Sequence, residues 1–358
     1  RDRSASALPA THSGASAGGI GESRRSESMR AFEYTTPKEK KQAVAMLGKQ
    51  WSDAEVLAGG SDLLGLMKDD IVHPKRLVNI KSIGDLHGIT SGAQGLRIGA
   101  LTTLVEISEH PQVKEHYPIL AHAAGDAASP QIRNVATIGG NMCQRPRCWW
   151  FRNGFGLLAT APDGKSLVLQ GDNRHHSILG NDGPAYFVSP STVAPVLIAY
   201  NAKIRLLGPG GPREIPLEKF FVIPKSENER EHDLRPNEIV TDIVVPAPPS
   251  GAKVSHYEVR QKEAFDWPYA TASVILDMNG DTVRSARVVM SHVAPIPWVS
   301  NEAAEALNGK TVSEETADAA GAAAVANAKS LGRNKHKIKL ARVAVKRAIL
   351  QAAKGERA

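Results

Sequence analysis

Two short stretches constrain this chain more than anything else in it. Each is a β-prone run that breaks into two adjacent glycines followed by polar residues. The first reads Val56-Leu57-Ala58-Gly59-Gly60-Ser61-Asp62-Leu63-Leu64, and the second, about 80 residues on, reads Ala136-Thr137-Ile138-Gly139-Gly140-Asn141. Without a Cβ, glycine lets backbone N–H groups come close to an anion, and a turn that opens a helix presents N–H groups with no partner of their own. Neither stretch spells the dinucleotide fingerprint G-x-G-x-x-G, and Gly59-Gly60 is not followed by the Lys-Ser/Thr of a P-loop. Each alone reads as a tight turn. Together they suit the two sides of an extended, phosphate-bearing cofactor.

The rest of the sequence sets those loops in an α+β frame. Residues 29–34 read as a strand. Thr36-Pro37-Lys38-Glu39 reads as a helix start, with Thr36 as N-cap, Pro37 at the first helical position and Glu39 as capping-box partner. Strands are expected over 54–58, 76–80 and 95–98, with helices from about Leu63, from about Leu104 and over 118–128. The stretch 143–191 is too long for an ordinary connection and is expected to be functional or partner-bound. A helix over 194–200 and strands over 203–207 and 239–245 follow. Pro246-Ala247-Pro248-Pro249-Ser250-Gly251 then marks a domain boundary. Beyond it, strands over 270–277 and 283–290 flank Asn279-Gly280, a strong hairpin signal, and helices end the chain near 313–330 and 336–353. Residues 1–28, rich in Ser, Ala and Gly with no hydrophobic period, are expected to be a disordered tail.

Composition removes several classes of function. The net charge of +7 suggests nucleic acid until it is located: residues 333–358 hold nine Lys/Arg and one Glu, which leaves the body nearly neutral. Within that segment Ile338, Ala341, Val345, Ala348 and Ile349 recur at helical spacing, so it reads as a surface helix with a solvated basic face. Aromatics at 5% argue against a stacking platform for single-stranded nucleic acid. Apolar runs fall far short of a membrane span. Two cysteines, Cys143 and Cys148, cannot build a disulfide framework, a four-cysteine zinc site or an all-cysteine cluster, and both read as packing residues. No Ser/His/Asp or Cys/His array stands out, so no catalytic residue and no metal ligand is assigned.

In order and wording these pieces resemble the FAD-binding medium subunit of the xanthine dehydrogenase and carbon monoxide dehydrogenase family. Met29-Arg30-Ala31-Phe32-Glu33-Tyr34 before Thr35-Thr36-Pro37 matches its opening, and the run from Ala58 to Lys68 its first glycine motif. Arg97 to Thr102 and Ile132 to Asn141 match two more motifs. Gln144-Arg145-Pro146-Arg147-Cys148 is similar to the aldehyde oxidoreductase branch. The resemblance implies a vanillyl-alcohol-oxidase (PCMH)-type bipartite FAD domain over 29–247, with its insert at about 143–191. A smaller C-terminal α+β domain of the CO dehydrogenase flavoprotein type would fill 253–358. It implies FAD with its pyrophosphate on the backbone amides of Val56, Leu57, Ala58, Gly59, Gly60, Ser61, Asp62 and Leu63. Thr137, Gly139, Gly140 and Asn141 would line the other side, with Asn134 supporting the turn. Lys262 would reach the flavin ring, where a cation favours the reduced, anionic form.

Partners follow from the same resemblance: a molybdenum-cofactor large subunit, a [2Fe–2S] small subunit and an external electron acceptor. Two departures stand out. In the aldehyde oxidoreductase branch four cysteines of the insert ligate an extra cluster, whereas here Cys148 matches the first, no cysteine follows it in the insert, and Cys143 lies upstream. Thr192 stands where many relatives place an Asp. Trp149, Trp150, Phe151, Phe155 and Phe187 are expected to form an interface patch. A stand-alone flavin oxidase of the same fold, or a scaffold subunit that has lost FAD, would be the alternatives. A cytoplasmic location is expected, with co-export beside a signal-bearing partner as the alternative.

Overall fold

A computed structural model describes residues 29–92, 95–261 and 265–355, so the expected tail over 1–28 lies outside the described residues. Three sheets organise the chain. The first is parallel, with Arg76–Asn79 between Glu33–Thr35 and Glu55–Leu57. Its central strand is covered on both faces, which is why Leu77, Val78 and Asn79 are all buried. The helix Lys40–Met46 contributes Ala43 and Val44 to the small core on one side.

The second sheet is antiparallel and five-stranded, in the order Ile89–Gly92, Gly95–Gly99, Ile239–Pro246, Lys203–Gly208, Gly211–Pro216. Ile204 and Leu206 alternate inward between exposed Lys203 and Arg205, the pattern of a sheet with one dry face. That face packs on Pro118–Asp126 and on Val193–Ala199, a helix buried along its whole length. The third sheet is antiparallel, in the order Trp298–Val299, Thr282–Ser291, Ala270–Asn279, Lys253–Val259. Asn301–Leu307 and Lys335–Lys354 cover it, and Glu314–Ala324 packs on both helices.

Several local expectations change. The first helix starts at Lys40, not after Thr36, because the Ser82 hydroxyl takes the Pro37 carbonyl at 3.1 Å and the Gln42 side chain takes the Lys38 N–H at 3.1 Å. The second glycine stretch is not preceded by a strand. Thr137 caps the short helix Ile138–Cys143, and both glycines lie in its first turn. The insert's aromatics do not gather into an exposed patch. Phe151 and Phe187 are buried with Leu66, Leu157, Leu158 and Ala185, Trp149 and Trp150 are half-buried, and Phe155 is exposed.

The basic C-terminal helix is also not uniformly solvated. Lys337 is 1% exposed, and its Nζ donates to the carbonyls of His175 at 2.9 Å, His176 at 3.1 Å and His292 at 2.7 Å. Asn334 donates to the carbonyls of His176 and Ser177, and Asn181 to that of Lys329. These contacts join the insert to the third sheet and its helices. Burial draws Lys337 down to about 7. Removing its head group leaves three dry carbonyls without a donor, while also removing the cost of burying a charge. Lys337→Met is therefore expected to lower stability by about 2 kcal/mol. The urea midpoint of the full chain checks this, and an unchanged midpoint would contradict it.

Candidate functional site

The two glycine stretches meet. A Cβ on Gly59 would stand 1.8 Å from the Val135 carbonyl oxygen, so the loops touch backbone to backbone where nothing larger than glycine fits. Gly60 has φ +75°, the left-handed conformation that lets the strand Glu55–Leu57 turn into the helix Leu63–Lys68. Among the described residues no backbone carbonyl takes the N–H groups of Gly60, Ser61, Asp62 or Leu63, which leaves four donors on this turn.

The second stretch contributes differently. The Ile138 and Gly139 N–H groups are taken by the carbonyls of Thr102 and Ala100, each at 2.9 Å, and that of Gly140 by the Thr137 hydroxyl at 3.2 Å. Gly139 is pressed against Ala100, where an added Cβ would lie 3.0 Å from the carbonyl oxygen. Gly140 is open: its Cβ would meet only the Thr137 hydroxyl, at 3.0 Å. The second loop thus offers a smooth wall rather than free donors. The Ser191 hydroxyl donates to Asn141 Oδ1 at 2.6 Å and holds that side chain beside the wall.

Between the loops opens a cleft of about 490 Å³, an ordinary size for a small-molecule site. Val56, Ala58, Gly59, Gly60, Ser61, Asp62 and Leu63 line it, and so do Thr137, Gly139, Gly140 and Asn141. Leu57 turns into the core with Met67 and Leu77, and Asn134 ends the exposed turn Pro130–Arg133; neither lines the cleft. Lys262 lies outside the described residues. Arg260, two positions earlier, does line the cleft, held by the Glu258 carboxylate and the Asp126 carbonyl. Thr192 lines it as well, buried and uncharged.

Sequence reasoning missed the arginines. The Arg145 N–H donates to Asp62 Oδ2 at 2.8 Å, while Arg147 and Arg152 meet Asp62 Oδ1 at 2.7 and 2.8 Å. Arg145 also pairs with Glu231 at 2.9 Å, in a site about nine-tenths buried. Arg230 pairs with Glu55 at 2.6 Å and lies 4.2 Å over the Trp51 ring. Arg147 lies 5.2 Å from the Trp267 ring. Burial lowers Arg147 and Arg230, and the carboxylates of Asp62 and Glu55 oppose that shift. The partners stand 83 to 175 residues apart, so no local pattern announces them.

A hydroxyl–imidazole–carboxylate array does exist. Ser273 Oγ lies 2.8 Å from His256 Nδ1, and His256 Nε2 lies 3.1 Å from Glu258 Oε1. Ser273 is fully buried in the third sheet, where no substrate reaches it, so the array is structural. Burial pushes the Cys143 thiol up to about 12 and raises Cys148 too, which leaves neither primed as a nucleophile. Among the described residues no group of three or more His, Cys, Asp or Glu is placed to hold a metal, and no helix is long and apolar enough to cross a membrane.

Four N–H donors and a buried Arg147 Nε without acceptors among the described residues, and glycines at the points of closest approach, fit an extended, anionic cofactor of the FAD kind. Comparison with known proteins points the same way. Residues 30–248 match the family described as the FAD binding domain in molybdopterin dehydrogenase, and residues 255–352 the CO dehydrogenase flavoprotein C-terminal domain. The carbon monoxide dehydrogenase medium chain of Hydrogenophaga pseudoflava is 32% identical over 295 residues, covering 82% of this chain and 86% of that one. The aldehyde oxidoreductase FAD-binding subunit of Escherichia coli is 30% identical over 275 residues, covering 75% and 84%. A solved carbon monoxide dehydrogenase from Hydrogenophaga pseudoflava, lacking the Mo-pyranopterin moiety of its cofactor, superposes with a TM-score of 0.71 over 92% of this chain and 99% of that one.

Proposed function

Because this chain belongs to the FAD-binding molybdopterin dehydrogenase family, we propose that it is the electron-transfer subunit of a molybdenum-containing dehydrogenase. In this reading a [2Fe–2S] subunit delivers electrons one at a time from a molybdenum-cofactor subunit, and the chain passes them to an external acceptor. FAD, when bound, supplies the redox chemistry that joins one-electron to two-electron steps. The chain's own residues bind and orient it. The N–H groups of Gly60, Ser61, Asp62 and Leu63 hold its pyrophosphate. Gly139, Gly140 and Asn141 form the facing wall. Arg260 lines the same cleft and adds a cation to it.

One observation carries this reading: both glycine loops line a single cleft, and the hydroxyl–imidazole array of the chain is sealed away from it. Such a chain holds and positions a cofactor and leaves substrate chemistry to another subunit. The isolated chain is expected to be reduced by dithionite, to contain no stoichiometric iron and to show no turnover with aldehydes, purines or carbon monoxide. Activity is expected once the partner subunits are co-expressed. Reduction of the isolated chain by any of those substrates would sink the proposal and favour a stand-alone oxidase.

A further inference from the structure

Asp62 poses an electrostatic problem for the first glycine loop. Its carboxylate belongs to the same turn as the free N–H groups of Ser61 and Leu63, so it would stand close to the negative charges of a pyrophosphate held there. Like charges at such range repel strongly where water is excluded. The insert supplies the answer. Arg147 and Arg152 both meet Asp62 Oδ1, so the three groups together carry one net positive charge.

The two arginines are not equivalent. Arg152 also donates to the carbonyls of Pro146 and Arg145 and does not line the cleft. Arg147 does line it. One of its terminal nitrogens meets Asp62 and the other the Gln144 side chain at 3.2 Å, while its Nε has no acceptor among the described residues. The hydrogen-bonding capacity of this guanidinium is therefore not exhausted by the described residues. Its position is fixed from two sides, by Asp62 and by Trp267.

We propose that Arg147 is the cationic contact of the cofactor's pyrophosphate, and that the insert serves cofactor retention by bringing Arg147 and Arg152 to Asp62. This rests on the reading that the glycine loops hold the pyrophosphate. In this arrangement Arg147 has two effects: it neutralises Asp62, and it offers a guanidinium to the phosphate oxygens, the pairing that suits its geometry.

The test uses the full chain, stripped of cofactor and titrated with FAD, ADP and riboflavin separately. ADP carries the pyrophosphate without the flavin ring, and riboflavin the ring without the pyrophosphate. Arg147→Gln is expected to weaken FAD and ADP by at least about tenfold each and to leave riboflavin unchanged. Adding Asp62→Asn to Arg147→Gln removes the exposed carboxylate and is expected to restore most of the loss. Arg147→Lys should fall between wild type and Arg147→Gln. The unfolding midpoint of each apoprotein separates binding from folding, and the double variant keeps the test readable if the single one is destabilised. Unchanged ADP binding in Arg147→Gln, or a further loss on adding Asp62→Asn, overturns the proposal. Failure of ADP to compete with FAD in the wild-type chain overturns the glycine-loop reading, and this proposal with it.

Discussion

Gly59→Ala is expected to give a chain that purifies without FAD and unfolds earlier, whereas Gly140→Val is expected to lose FAD and keep its stability. The difference lies in what each Cβ would meet. At Gly59 it would overlap the Val135 carbonyl at 1.8 Å, and backbone cannot rotate away as a side chain can. The loops must separate, at a cost of about 3 kcal/mol on the scale of overpacked interiors. At Gly140 the new side chain meets one hydroxyl and otherwise projects into the cleft, so its cost falls on the ligand. FAD per chain after desalting, read beside the thermal midpoint of the apoproteins, checks both. Stoichiometric FAD in Gly59→Ala would mean that the loops are not joined as described.

The second large effect is acid lability. His232, His176 and His292 are buried, and burial is the first cause that lowers them to about 3, about 4 and about 4. They stay neutral in the fold. In the unfolded chain an imidazole binds its proton near pH 6.5. Between pH 6.5 and 4 the unfolded state therefore holds up to three more protons than the folded one, so stability falls as the pH falls through that window. At one proton each the slope reaches about 4 kcal/mol per pH unit near pH 5. Glu258, which His256 and Arg260 hold down at about 2, continues the loss below pH 4.5. His292 has φ +64°, a conformation that Asn accepts better than most residues, so His292→Asn is a suitable control. It should reduce the slope by about one proton. Urea midpoints that stay level from pH 7 to 4 would contradict the assignment of these groups as neutral.

Where sequence reading succeeded, the signal was local and covalent. Adjacent glycines announce close backbone approach whatever surrounds them, and Gly59, Gly60, Gly139 and Gly140 all line the cleft. The hairpin at Asn279-Gly280 and the apolar stripe of the last helix are likewise written in a few neighbouring residues, and both stand in the structure. It failed where a distant group competed for a local one. Thr36-Pro37 has the chemistry of a helix start, yet Ser82 holds the Pro37 carbonyl. The Ile138-Gly139 step looks like the end of a strand, but its N–H groups belong to the carbonyls of Ala100 and Thr102. Lys337 looked like one more solvated charge in a basic run. Only the fold brings the backbone of His175, His176 and His292 around it.

That buried lysine has a consequence for motion. Three carbonyls from two distant parts of the chain share one ammonium group, with Asn334 and Asn181 adding amide contacts beside it. A hinge between the insert and the C-terminal helices would have to strip the carbonyls of His175, His176, Ser177 and Lys329 of these donors together, in a space with no water to replace them. Opening by small steps at this seam is therefore costly. In the proposed electron-transfer role, that tie holds the cleft's insert at a fixed distance from anything docked on the C-terminal helices, the condition under which electron tunnelling proceeds at a steady rate.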